Sequence, residues 1–268
     1  MFRVIDCFMF YNELDLLTYR LNILDNIVDY FVIVEATHTH SGMEKKLFYN
    51  DNKHLFDKFN HKIIHIIVED FPHKYPNVNI ENGDAWKNEN FQRDCYSRGI
   101  NMINDLSDSD IIIIADLDEI PDPNTLDKIK KGEIEVDFNS LQMDLYYYNL
   151  NSRLGIWQEL KIITYRKYKE LNVSPNSIRC NYGNYISTIP KGGWHLSYFG
   201  DKYFIQNKIK HAAHQEFNSP EFTDLSKIEE RLKNNKDLYD RNYINRLEIK
   251  DNHYLPVDYD KYLTKYYN

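Results

Sequence analysis

In Ile111-Ile112-Ile113-Ile114-Ala115-Asp116-Leu117-Asp118-Glu119-Ile120-Pro121-Asp122-Pro123, four β-branched residues run straight into a knot of acids. An unbroken apolar run bounded by a turn is the pattern of a strand buried on both faces in a parallel sheet. Pro121 and Pro123 then stop regular structure. Asp116, Asp118 and Glu119 are thereby placed where the strand leaves the sheet, at the carboxyl edge where open α/β folds bind ligands. Carboxylates crowded there repel one another unless a cation or hydrogen-bond donors compensate. A hard divalent ion, Mn²⁺ or Mg²⁺, shared between carboxylates and a substrate's phosphates is the economical compensation. A solvated acidic loop is the competing reading, because Asp-x-Asp alone is short and matches often.

Upstream, the same strand-then-polar pattern recurs. Residues 4–10 read as a strand, and Leu14, Leu17, Leu21 and Leu24 give the helix that follows one apolar face. Residues 30–34 are a second buried strand ending at Glu35, and residues 63–68 a third, preceded by a short helix at 54–59. Residues 70–84 read as a long loop, and a helix from about 86 to 106 leads into the isoleucine run. This alternation predicts a mostly parallel twisted sheet flanked by helices, an α/β, Rossmann-like half. Downstream, residues 141–148 and 161–166 are Tyr- and Ile-rich strand candidates, and Gly192 to Gly200 is an aromatic segment bracketed by glycines. The chain after residue 201 reads as helical and charged, through residues 228–238 to a Tyr-rich tail. The expectation is one domain over residues 1–268: a nucleotide-binding half to about 125, an acceptor half to about 220, and a helical extension.

Composition narrows the partners. With 33 Lys and Arg against 41 Asp and Glu, the net charge is −8. That excludes nucleic-acid binding by phosphate neutralisation, which needs a basic face. Three scattered cysteines, Cys7, Cys95 and Cys180, read as reduced thiols in a cytosol-like compartment. No signal peptide is seen, and no apolar run approaches the roughly 20 residues of a membrane helix. The expectation is a soluble, cytoplasmic chain with no membrane span.

Asn12 and Glu13 at the first strand exit, and Glu35 at the second, share the sheet edge with Asp116, which makes a nucleotide crevice there. Helix capping is the alternative for Asn12 and Glu13, and a solvated loop acid for Glu35. Arg93 on the preceding helix suits a diphosphate or the acid cluster, since its planar fork fits both, or else pairs on the surface with Glu89 or Asp94. Two glycines before Trp194-His195 suggest backbone held close to something, with His195 aimed at a ligand, against the alternative of a core histidine. His211, His214 and Glu216 are further polar groups near a helix end.

Together these residues carry a resemblance. Asp6-Cys7-Phe8-Met9-Phe10-Tyr11-Asn12-Glu13-Leu14-Asp15-Leu16-Leu17 resembles the opening of the family 17 glycosyltransferases. Residues 28–35, 89–93, 116–121 and 193–195 resemble further blocks of that family, in the same order, over most of residues 5 to 200. The resemblance implies a GT-A-like fold and inverting transfer of N-acetylglucosamine from its UDP donor to a hydroxyl of a glycan acceptor. In the animal members the acceptor is the β-linked mannose of an N-glycan core. It also implies that Asp116 and Asp118 hold Mn²⁺ on the donor's diphosphate, with Asp118 the direct ligand and Asp116 on the metal or the ribose. His195 is a further metal ligand in this reading. Secretory-pathway members carry a membrane anchor and stem, which this sequence does not show.

Inverting transfer needs a base for the acceptor hydroxyl on the side opposite the leaving group. Glu119, Asp144, Glu159 and Glu216 are the candidates, and the sequence does not separate them. Three rival functions use the same acids: transfer from another nucleotide sugar, metal-dependent nucleotidyl or phosphoryl transfer, and carbohydrate binding without catalysis.

Overall fold

The computed structural model describes residues 2–183, 185–241 and 244–267. Its strands are β1 (Val4–Phe10), β2 (Tyr30–Ala36), β3 (Ile63–Val68), β4 (Ile111–Asp116), β5 (Glu119–Pro121), β6 (Phe138–Tyr147), β7 (Ser152–Trp157), β8 (Lys161–Thr164), β9 (Ser187–Ser197) and β10 (Asn245–Arg246). They join one sheet in the order β10-β7-β6-β8-β4-β1-β2-β3, with β9 pairing β6 on one side and β5 on the other. β4, β1, β2 and β3 are mutually parallel, as the buried runs require. The architecture is α/β, a sheet flanked by helices.

The isoleucine run is continuous because both of its faces are covered. Ile111 and Ile113 pack with Phe8, Phe10, Leu17 and Leu21, whereas Ile112 and Ile114 pack with Cys7, Val34, Tyr96 and Ile100. One core therefore lies on each side of the sheet. The chain winds from β1 outward through β2 to β3, then returns to lay β4 on the opposite side of β1. That reversal is the switch point at which open α/β sheets bind ligands. In register, Met9 faces Asp116 and Phe10 faces Glu35, so all three strand exits meet at one edge.

The structure departs from the periodicity in several places. The helix expected at 86–106 is two, Asp84–Asp94 and Tyr96–Ile100, after which turns bring the chain back to β4. Gly99 lies against β2, where a Cβ would stand 2.3 Å from Val32 Cγ1. Only Lys161–Thr164 is strand, because the Thr164 hydroxyl caps a helix over Tyr165–Leu171. The second half contributes antiparallel pairs, β6 with β7 and with β8, and β5 with β9. Among the described residues the tail forms the amphipathic helix Leu225–Lys233, then β10, a short helix at Tyr259–Tyr262 and single 3-10 turns rather than a continuous helical extension. Cys7 and Cys95 are buried, Cys180 is exposed, and all three are free thiols. Among the described residues no helix is long and apolar enough to cross a membrane.

Candidate active site

The acidic turn is stitched to β9. Leaving β4 at Asp116, the chain enters β5 within three residues, and Glu119 pairs with His195 across the antiparallel ladder. The Leu196 N–H donates to the Asp118 carbonyl at 2.8 Å. Gly193 makes this approach feasible: its φ is +144°, and a Cβ there would stand 2.1 Å from the Ile120 carbonyl oxygen. Gly193 thus lies close against β5, whereas Gly192 lies against β6, where a Cβ would stand 2.5 Å from Leu141 Cβ. Strand alternation then sends Trp194 into the core and His195 to the other face, towards Asp118. His195 Nε2 lies 3.4 Å from Asp118 Oδ1, and its ring packs on Trp157 with centroids 4.7 Å apart.

The two aspartates of the turn are held by different cations. Arg93 and Arg179 approach Asp116 at 3.2 and 3.0 Å. Burial opposes ionisation of Asp116, but these two guanidiniums outweigh it and hold the carboxyl below its usual range. Burial also opposes ionisation of Asp118, and there Lys208 and His195 drive the carboxyl well below its usual range. Lys208 Nζ sits 2.9 Å from Asp118 Oδ2 and 3.7 Å from Glu13 Oε1. Its own burial favours the neutral amine, yet Asp118 and Glu13 keep it firmly protonated.

These groups open into a cavity of about 310 Å³ above the carboxyl edge. One end is formed by Phe10, Tyr11, Thr39, His40 and Lys45, and the floor by Asp116, Asp118, His195 and Lys208. The other end is aromatic, with Tyr147, Trp157, Tyr198, Phe217 and Tyr239, and Arg241 at its rim. Phe217 and Tyr239 stack with centroids 3.9 Å apart, and the Tyr198 and Tyr239 hydroxyls meet at 2.5 Å. The Tyr11 hydroxyl donates to Asn207 Oδ1 at 2.8 Å, tying the exit of β1 to the helix Lys202–His211 that carries Lys208. Burial lowers the pKa of Lys45 to about 8, against the opposing pull of Glu35 and Glu13.

Of the residues singled out from sequence, Glu13, Asp116, Asp118 and His195 border the cavity. His211 and His214 border it as well, and the rest stand elsewhere. Glu119 is fully buried beneath the turn, accepting from Arg179 at 2.6 and 2.7 Å, from Trp157 Nε1 at 2.5 Å and from the Asp116 N–H at 2.9 Å. So encased, it braces the turn and does not border the cavity. Asp144 is held by Arg153 at 2.9 and 3.0 Å away from the cavity lining, and Glu216 projects into solvent beside His214. Glu159 is half exposed. Glu35 caps the helix Phe48–Asp51, accepting from the N–H groups of Tyr49 and Asn50, with His65 at 3.2 Å. Asn12 does not cap the first helix: its Oδ1 is buried without a partner, and Glu13 takes the N-cap position without a side-chain bond. Arg93 is buried, joining Asp116 to Glu89 and Asn176.

Lys45, Lys208, Arg179 and the aromatic wall were not apparent in the sequence, since each comes from a segment remote from the Asp-x-Asp. Two aromatic stretches were the available signals: of Tyr146-Tyr147-Tyr148 only Tyr147 lines the cavity, and the segment from Gly192 to Gly200 contributes Tyr198.

The sequence model of glycosyltransferase family 17 matches residues 1–243. The β-1,4-mannosyl-glycoprotein 4-β-N-acetylglucosaminyltransferases of Rattus norvegicus and Homo sapiens are each 30% identical over 122 residues, 44% of this chain. That stretch spans 22% of the length of those relatives. Among solved structures, a 4-diphosphocytidyl-2C-methyl-D-erythritol synthase aligns with 71% of this chain and 89% of its own, at 10% identity and a TM-score of 0.39. With the family match running from the first strand past the cavity's aromatic wall, the chain belongs to glycosyltransferase family 17.

Proposed function

We propose that the cavity binds a nucleotide sugar and that the chain is a GT-A-like, inverting glycosyltransferase, moving N-acetylglucosamine from UDP to a hydroxyl of a glycan acceptor. The observation that carries this reading is the pairing of two ionised carboxylates, Asp116 and Asp118, with an aromatic wall across one cavity at the β1/β4 switch point. The end beside β1 and Lys45 suits the nucleoside diphosphate. The tyrosine and tryptophan faces suit pyranose rings.

Both carboxylates of the turn border the cavity, and their hard oxygen donors suit Mn²⁺ or Mg²⁺. Among the described residues no three His, Cys, Asp or Glu side chains are grouped to hold an ion unaided. Asp118, with Asp116 behind it, would therefore share the ion with donor phosphate oxygens, as such ions commonly require. Bound there, a divalent ion offsets the charge that gathers on the departing diphosphate. His195 then orients Asp118, while Arg93, Arg179 and Glu119 keep the turn fixed. The hydroxyl's proton passes to a carboxylate that reaches the cavity; Glu13 and Glu89 do so, and Glu119, Asp144 and Glu216 do not.

The test is incubation with a panel of UDP-sugars and Mn²⁺, following UDP release. UDP-N-acetylglucosamine should be consumed fastest. Pyrophosphate release from a nucleoside triphosphate and a sugar phosphate, with no UDP from any sugar donor, would overturn the reading in favour of nucleotidyl transfer. Saccharide binding with no turnover of any donor would make the chain a binding protein.

A further inference from the structure

Lys208 occupies the side of Asp118 that a divalent ion would need. The helix Lys202–His211 is fixed at its start by Asp201, which accepts from the N–H groups of Tyr203 and Phe204, and its Ile205 and Ile209 are buried against Leu145 and Tyr147. This anchoring leaves Lys208 directed into the cavity, with its ammonium 2.9 Å from Asp118 Oδ2 and 5.3 Å from the centre of the Tyr198 ring. The second oxygen of Asp118 already faces His195 at 3.4 Å. An ammonium and a divalent ion on the same Oδ2 repel one another strongly in a partly buried site, which opposes their joint occupancy of that oxygen. Lysine is also the cation best suited to yield, being a point charge on a flexible four-carbon stem. The nearest other carboxylate, Glu13, is 3.7 Å from the same ammonium, on the β1 side of the cavity.

Resting on the functional reading above, we propose that Lys208 is a displaceable counter-ion. It neutralises Asp118 in the donor-free protein, and on arrival of the divalent ion it moves to the donor's diphosphate. Metal and donor binding are then coupled through one side chain. The ion must evict Lys208, and the diphosphate gives the evicted ammonium a partner, so each ligand favours the other.

The experiment measures Mn²⁺ binding to the full chain by calorimetry, with and without UDP, for the parent, Lys208→Met and Lys208→Arg. Lys208→Met should bind Mn²⁺ about tenfold more tightly without UDP, while the tightening that UDP brings to the parent largely disappears. Lys208→Arg, whose fork grips Asp118 more firmly, should bind Mn²⁺ more weakly than the parent. Turnover at saturating Mn²⁺ should fall at least tenfold in Lys208→Met, so metal affinity and rate move in opposite directions. A purely structural lysine would not produce that split. Unchanged or weaker Mn²⁺ binding in a folded Lys208→Met overturns the proposal; if that variant does not fold, Mn²⁺ binding to Lys208→Arg equal to or tighter than the parent does so. These outcomes are separable from failure of the functional reading. The Mn²⁺ competition needs no turnover, and UDP release by the parent with no effect of Lys208 on Mn²⁺ overturns this inference alone.

Discussion

Arg20 and Asp6 form an ion pair in which both side chains are fully buried, with guanidinium and carboxylate 2.6 Å apart. The remaining edge of Arg20 faces the acidic turn: Nη1 donates to the backbone carbonyls of Asp116 and Leu117 at 2.9 Å and of Glu119 at 2.7 Å. One residue of the first helix thereby sets the path of the Asp-x-Asp backbone from below. Asp6 lies in β1 beside Ile113 of β4, so the brace is anchored in the sheet itself.

Arg20→Met should be severely destabilising, by about 3–5 kcal/mol, because it strands a buried carboxylate and three carbonyls. Arg20→Lys keeps the charge but loses the fork, and should melt closer to the parent while losing turnover. Thermal melts beside UDP-release rates check both, and parent-like turnover in Arg20→Lys would show that the turn holds its shape unaided.

Asp118→Asn should lower the rate on the order of a thousandfold, the loss expected when a charge that offsets the leaving group is removed. It also leaves Lys208 without its nearest partner, so a moderate loss of stability accompanies it. The sign of the pH dependence follows from the depressed folded pKa of Asp118. Its contribution is complete above the unfolded value of about 3.9 and fades as pH falls towards the folded one. The gap in melting temperature between parent and variant should therefore be constant above about pH 5 and shrink below about pH 4.

Lys45 gives the protein an alkaline limit. With its pKa near 8, the charge that Lys45 presents to the cavity beside Tyr11 is lost as pH rises through that value. The kcat/KM for the donor should fall above pH 8, mainly through KM, and Lys45→Gln should flatten that limb. Stability moves the other way. The unfolded chain binds this proton more tightly, so between pH 8 and about 10.4 the fold gains stability as pH rises.

His195→Ala should reduce turnover more than stability, since the ring orients Asp118 from a strand whose packing is carried by Trp194 on the opposite face. Parallel kinetic and melting measurements decide it. A variant that melts far below the parent, with its folded fraction fully active, would make His195 a packing residue.

The sequence made the parallel half of the sheet legible because each of its strands is a short apolar run whose partners cover both faces. It exposed the acidic turn for the same reason: Asp116 and Asp118 follow directly from where the Ile run must stop. Arg20, Lys208 and Arg179 were hidden, because a charged residue at helical spacing reads as solvent-exposed until the tertiary fold buries it. Glu119 misled in the opposite sense. It stands beside the turn in sequence, yet the one-residue alternation of β5 points it inward to Arg179 and Trp157. The glycines at 192 and 193 correctly announced a close approach, but only the ladders reveal the neighbours, β6 for Gly192 and β5 for Gly193.

Of the three tryptophans, Trp194 is locked in the core with Nε1 bonded to the Tyr254 carbonyl, whereas Trp157 borders the cavity between Glu119 and His195. Trp86 lies against His214, itself a cavity residue, with ring centroids 4.4 Å apart. Two of the chain's three indoles therefore sit beside imidazoles that line the cavity, and the third is packed in the core. The molecule carries a built-in optical probe: its native ultraviolet fluorescence should register occupancy of the cleft without any label, and do so before a single glycosidic bond is made.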